Sequence, residues 1–191
     1  MFSKKGFVTV CLVILAALLI TGCAPTTPMP VAVGDSYGGG IVAYILVNGD
    51  TGYDPSVQHG LIAATADQST GIQWYNGSNV VTGATGIAIG TGQANTTAIV
   101  TIQGAGSYAA QLCNDLTEGG YTDWFLPSKD ELNKLFLNRL AIGGFAAPYS
   151  YWSSSEYDAF FAWCQSFSMD VQYYYYKDDT FYNRVRAVRA F

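Results

Sequence analysis

Charge is scarce in this chain. Its 191 residues carry 9 Lys and Arg, 14 Asp and Glu and a single histidine, so it lacks the dominant cationic surface that nucleic acid or a heparin-like polyanion needs as a main partner. His59 stands without a G-x-S-x-G or similar nucleophile motif, and no catalytic triad can be assembled around it. One histidine and few cysteines do not make a zinc site. No D-x-[DN]-x-[DN]-G run is present, which removes the EF-hand type of calcium loop. Asp130 and Glu131 are neighbours on one helix and point in different directions, a poor general acid and base. The expectation is a protein without catalysis, metal or cofactor. Long apolar runs are also missing beyond the N-terminus, which argues against a helical bundle.

What is abundant is glycine and tyrosine, 21 and 14 residues, in a chain that is half hydrophobic. That composition and length predict one loop-rich, β-containing domain with a well-buried core. The first residues stand apart from it. Lys4 and Lys5 precede an apolar stretch from Phe7 to Ile20, and "ITGC" closes it with small residues. This resembles a bacterial lipoprotein signal, with residues 1–22 removed and Cys23 lipidated, so the chain is expected to be held on a membrane by its acyl chains. Ala24 fits export to the outer membrane or cell surface. Residues 23–33, including "APTTPMPVAV", read as a Pro-rich, uncharged tether, and residues 34–191 as the domain. Loss of Lys4 and Lys5 leaves seven basic against fourteen acidic side chains, a mature net charge of −7.

Along the domain, "GGGIVAYIL" and "GLIAAT" read as short paired strands. Ser78 to Gly92 reads as a surface loop. Asn95 to Ile102 and Ser107 to Leu116 have helical spacing, and Ser128 with Glu131 forms an S-x-x-E capping box before Leu132, Leu135 and Phe136. The last third, "YWSSSE", "AWCQSF", the tyrosine run and "RVRAVRAF", is punctuated like sheet strands. Strands, then helices, then strands predict an α+β fold. Arg184 and Arg186 alternate on a strand and are expected to meet carboxylates rather than form an anion site. Cys113 and Cys164 remain after the signal is removed, in a compartment that permits disulfides, and their pairing stays open.

At "DWFLPSKDEL", "YWSSSE", "AWCQSF" and "RVRAVRAF", together with "GGGIVAYI" and "HGLIAA", the chain resembles the bacterial Lcl C-terminal domain over about Gly34 to Phe191. The resemblance implies a C-type-lectin-like fold with two helices packed on small antiparallel sheets and long ligand-facing loops. It also implies binding of a protein or glycan ligand. Two features of the pattern are absent. Many family members carry a cysteine where this chain has Ala187, so a family disulfide to Cys113 is missing. The Glu-Pro-Asn or Gln-Pro-Asp motif of calcium-dependent lectins is missing too. Sulfated glycans, the ligand of the best-known relative, suit a net charge of −7 poorly. The oxidases of the same superfamily use a reactive cysteine pair that the separated Cys113 and Cys164 do not resemble.

The four consecutive tyrosines belong to a larger set: Tyr157, Asp158, Phe160, Phe161, Cys164, Ser166, Ser168, Asp170, Tyr173, Tyr174, Tyr175, Tyr176, Asp178, Asp179, Phe181 and Tyr182. All are Tyr, Phe, Asp, Ser or Cys, each reachable from an Asn codon by changing adenines alone. In a C-type-lectin-like domain this composition resembles the product of a diversity-generating retroelement, so the set is expected to be a diversified ligand-contact surface. Trp124, Leu126, Trp152, Trp163 and Phe167 are expected to be scaffold. Tyrosine offers stiff, amphipathic contact area, and Asp and Ser add adaptable hydrogen bonds. Because strand residues alternate, four successive tyrosines cannot all enter one core, and either Tyr173 and Tyr175 or Tyr174 and Tyr176 must be exposed. The alternative reading is a structural envelope lipoprotein with a fixed partner interface.

Overall fold

The structure, a computed structural model, describes residues 30–191. The signal segment, Cys23 and the tether up to Met29 lie outside the described residues. Among these, the strands β1 (Ser36–Tyr37), β2 (Gly40–Ile45) and β3 (Gly60–Ala63) come first. They are followed by the helices α1 (Gly92–Gln103), α2 (Ala109–Asn114), α3 (Lys129–Leu137) and α4 (Arg139–Ile142). The chain closes with β4 (Ser150–Glu156), β5 (Phe161–Ser166), β6 (Val171–Tyr176), β7 (Asn183–Arg184) and β8 (Val188–Ala190). The fold is mixed α and β, in the order strands, helices, strands. No helix among the described residues is long and apolar enough to cross a membrane.

The strands form two four-stranded sheets, β1-β2-β3-β8 and β6-β5-β4-β7. Among the described residues the helices number four rather than the two that the resemblance implies. The additional pieces, α2 and α4, are short, and α4 ends where Gly143 and Gly144 take positive φ values of 75° and 71°, a conformation that costs glycine nothing. Pairing is antiparallel except between β4 and β7. That parallel pair arises because the chain leaves β6 at one edge of the sheet and returns at the other.

Two apolar clusters hold these layers together. One gathers Trp74, Ile99, Tyr108, Cys113, Trp124, Leu126, Trp152, Cys164 and Ala187. The other packs α3 residues Leu132, Leu135 and Phe136 against Ala43, Leu61, Tyr151, Phe167 and Val188 from both sheets. The start of α3 is the expected capping box: Ser128 Oγ accepts from Glu131 N and the Glu131 carboxylate accepts from Ser128 N at 2.7 Å. Glu131 is fully buried and also accepts from Gly90 N at 2.8 Å. A Cβ on Gly92 would collide with that carboxylate, so the close approach of this loop requires glycine there. Burial pushes the Glu131 carboxyl up, while its backbone hydrogen bonds pull it down.

The segment Ser78–Gly92 is the irregular, mostly exposed loop that the sequence predicts, but it turns Thr82 and Ala84 inward. The cause is Glu156 at the end of β4. Its carboxylate accepts from Thr82 N at 2.9 Å and Gly83 N at 3.1 Å, and its own N–H donates to Ala84 O at 2.8 Å. Lys177 Nζ meets the same carboxylate at 2.6 Å, donates to Val80 O and lies 4.6 Å from the centre of the Trp74 ring. Both side chains are buried, and burial lowers the pKa of Lys177 while Glu156 works against that. The arginines meet carboxylates as the strand alternation predicts: Arg184 and Arg186 share Asp67, and Arg189 pairs with Asp123.

Removing one partner of a buried, hydrogen-bonded pair strands the other charge, at a cost of about 3–5 kcal/mol. Lys177→Ala is therefore expected to lower urea-denaturation stability by roughly that amount, and Lys177→Met combined with Glu156→Gln to recover part of the loss.

Candidate functional site

Strand β6 pairs with β5 over six residues without a register shift, placing Phe161 opposite Tyr176, Trp163 opposite Tyr174 and Cys164 opposite Tyr173. Alternation then sorts the tyrosines. Tyr173 and Tyr175 turn toward the core cluster around Trp74 and Trp152. The Tyr173 hydroxyl lies 2.7 Å from Ser150 Oγ, and burial pushes its pKa up to about 12, so the phenol stays neutral. Tyr174 and Tyr176 turn outward, 45% and 56% exposed.

On that outer face the rings form one continuous ladder. Tyr157, 49% exposed at the end of β4, stacks on Tyr174 with centroids 4.1 Å apart and planes 8° from parallel. Trp163 meets Tyr157 and Tyr174 edge-on at 5.6 and 5.8 Å. Phe161 meets Tyr174 at 5.5 Å and Tyr176 at 4.5 Å. Lys129 Nζ, from the first turn of α3, lies 4.4 Å from the centre of the Trp163 ring. Such contacts hold each exposed ring in place, so little side-chain freedom remains to be lost when a partner lands on it.

The rest of the expected contact set divides by environment. Phe160, Ser168, Asp170, Asp178, Phe181 and Tyr182 are exposed. Phe181 and Tyr182 contact each other at 5.0 Å, and neither joins the ladder. Asp158 and Asp179 shape turns: Asp158 Oδ1 accepts from the N–H groups of Phe160 and Phe161, and Asp179 Oδ2 from those of Tyr182 and Asn183. Two residues are corrected. Cys164 and Ser166 are buried because they share the inward parity of Tyr173, and Ser166 Oγ accepts from Met169 N inside the β5–β6 turn. Trp163, expected as scaffold, is only half-buried and belongs to the ladder. Lys129 was not singled out by sequence. The parity of Trp163 with Tyr174 was the available signal for the first, whereas nothing local in the sequence points to the second.

Cys113 and Cys164 are both buried and free. Burial pushes both thiols up, which keeps them protonated and unreactive. His59 Nδ1 lies 3.1 Å from Phe191 O. Among the described residues no group of three or more His, Cys, Asp or Glu is placed to hold a metal ion. Peptide mapping after iodoacetamide treatment should find Cys113 and Cys164 unmodified in the native protein. Both should be modified after denaturation without reductant; protection persisting through denaturation would mean a disulfide.

Compared with known proteins, the chain matches the family model of the Lcl C-terminal domain over residues 63–189. No curated protein matches it. The matched span contains α1 to α4, β4 to β7 and the whole ladder, and β1 and β2 precede it.

Proposed function

The chain belongs to the Lcl C-terminal domain family, and on that premise we propose that it is a lipid-anchored envelope protein that binds a protein or glycan ligand without catalysis. The observation that carries this reading is the ladder of Tyr157, Phe161, Trp163, Tyr174 and Tyr176. Rigid, exposed, amphipathic rings supply contact area at low entropic cost, and Ser168, Asp170 and Asp178 add hydrogen-bonding groups around them. A C-type-lectin-like fold is supported by the strand–helix–strand order and by the pairing of β3 with β8, which joins early and late parts of the chain in one sheet. The anchor is supported by the lipoprotein-like sequence ending at Cys23, and such an anchor would hold the domain at the outer membrane or cell surface.

Diversification by adenine mutagenesis is part of this reading. Most of the Tyr157–Tyr182 set is exposed or half-buried, where substitution costs little stability. DNA flanking the gene is expected to hold a near-copy repeat differing at adenines of these codons, beside a reverse transcriptase gene. A plain locus would leave a fixed adhesin or an envelope protein with one partner interface.

Binding is tested on glycan and extracellular-protein arrays. The full-length chain should mark discrete spots, and the Tyr174→Ala/Tyr176→Ala variant should lose them by about tenfold or more, since each ring contributes on the order of 1 kcal/mol. Equal binding by a folded double variant would remove the ladder from the site.

A further inference from the structure

The second sheet ends in an open edge. β6 pairs only with β5, and the hydrogen bond from Lys177 N to Phe160 O (2.9 Å) sets the phase of that ladder. In an antiparallel pair the bonded residues alternate, so Val171, Tyr173 and Tyr175 direct their peptide groups at β5. Gln172, Tyr174 and Tyr176 direct theirs outward. The Tyr176 carbonyl accepts from Asp179 N in the following turn. The N–H and C=O of Gln172 and Tyr174 and the N–H of Tyr176 have no partner among the described residues.

Sheet proteins usually guard such an edge with a charged residue, a proline or a bulge. "VQYYYY" has no charge and no proline, and its six pairs with β5 run without a register shift. The charges sit instead at the two ends. Asp170 precedes the strand and Asp178 follows it; both are exposed, and no described group donates to either carboxylate. They disfavour in-register pairing with a second copy and suit a partner with basic ends. A second copy docked antiparallel, with the outward groups in register so that Tyr174 faces its own counterpart, would bring Asp170 opposite Asp178 of that copy twice, and like charges directly opposite are destabilising.

We propose that the β6 edge receives an extended peptide segment of a partner protein, added as a further strand, with basic residues at both ends placed to meet Asp170 and Asp178. The inference rests on the aromatic face as the ligand-binding region and names its partner's chemistry. Outward backbone groups supply register and affinity, as in strand addition generally. Alternate side chains of the incoming segment would lie beside Tyr174 and Tyr176. Asp170 and Asp178 lie in the turns that flank the six-residue strand, so the basic residues fall just beyond the paired positions of the incoming segment, about eight residues apart.

The probe is a nine-residue peptide, Lys-Val-Thr-Val-Thr-Val-Thr-Val-Lys, titrated against the full-length protein in detergent. Controls are the same peptide with glutamate at both ends and a backbone N-methylated version. Amide hydrogen exchange should slow at Gln172, Tyr174 and Tyr176 on adding the probe, and not at Tyr173 or Tyr175, which β5 already protects. Neither control should bind. Asp170→Asn/Asp178→Asn, which leaves the strand and the φ of 51° at Asp170 acceptable, should weaken the probe by about tenfold, the equivalent of two exposed ion pairs. No slowing at the outward amides, equal binding of the glutamate-ended peptide, or protein dimerisation that protects the same amides without any peptide would each overturn the proposal. The array experiment with Tyr174→Ala/Tyr176→Ala reads the aromatic face separately. Array binding that depends on those rings, with no response to the probe, would end the strand-addition proposal and leave the face intact.

Discussion

The contact of Lys177 with Glu156 governs the shape of the whole C-terminal half. It is a 2.6 Å ion pair between fully buried side chains, one at the end of β4 and the other immediately after β6. A lone buried charge is costly, so each of these side chains is bound to its partner's position. Glu156 also accepts from Thr82 and Gly83, which draws a long glycine- and threonine-rich segment down against the sheet. Lys177 must therefore face inward. In a strand that one orientation sets the others: Tyr175 and Tyr173 share its side, and Tyr176 and Tyr174 take the opposite one. The outward ladder is the far side of a buried salt bridge.

The other half of the domain repeats the device with different groups. Asp67, between β3 and the helices, accepts from Arg184, Arg186 and the Tyr151 hydroxyl. Arg186 is itself buried, donates to Ala64 O and Gly144 O, and lies over Phe145. One acid thereby connects the first sheet, the loop after α4 and the last strands. Ala187, next in sequence, is buried in the same apolar cluster as Cys113, so apolar packing joins the two places where relatives are expected to carry a disulfide. The charged side chains that are buried, Glu131, Glu156, Lys177, Arg186 and Arg189, each join segments distant in the chain.

That use of charge explains which parts were legible in the sequence. The α3 capping box, the periodic helices, the paired apolar strands and the carboxylate partners of the arginines depend on local spacing or on alternation, and the structure has them where spacing places them. The alternation of the tyrosines was legible for the same reason, while the choice of Tyr174 and Tyr176 as the outward pair depends on the inward Lys177. The exposed loop Ser78–Gly92 was legible too, but the inward turn of Thr82 and Ala84 was not, because it depends on Glu156, more than seventy residues away, and no local periodicity records it. Cys164 and Ser166 were grouped with exposed residues by their codons rather than by their phase in β5. Their register with Tyr173 and Val171 makes them inward. Trp163 reads as core by residue type, yet its phase aligns it with Tyr174, and phase wins.

The pattern of the last third follows from a conflict between folding and contact. Exposed aromatic rings on a sheet edge favour association with any extended chain. Here the rings are packed against one another, Tyr157 flat on Tyr174 and Trp163 edge-on to both, which removes part of their area from water without covering the face. Acidic residues stand at the ends of the strand and not within it, so in-register self-pairing is opposed by charge while the central backbone groups remain available. A core element would have no use for outward tyrosines, and a fully guarded edge would have no use for an open one. On the proposed reading, the outward tyrosines and the open edge form one surface for a partner segment with basic ends.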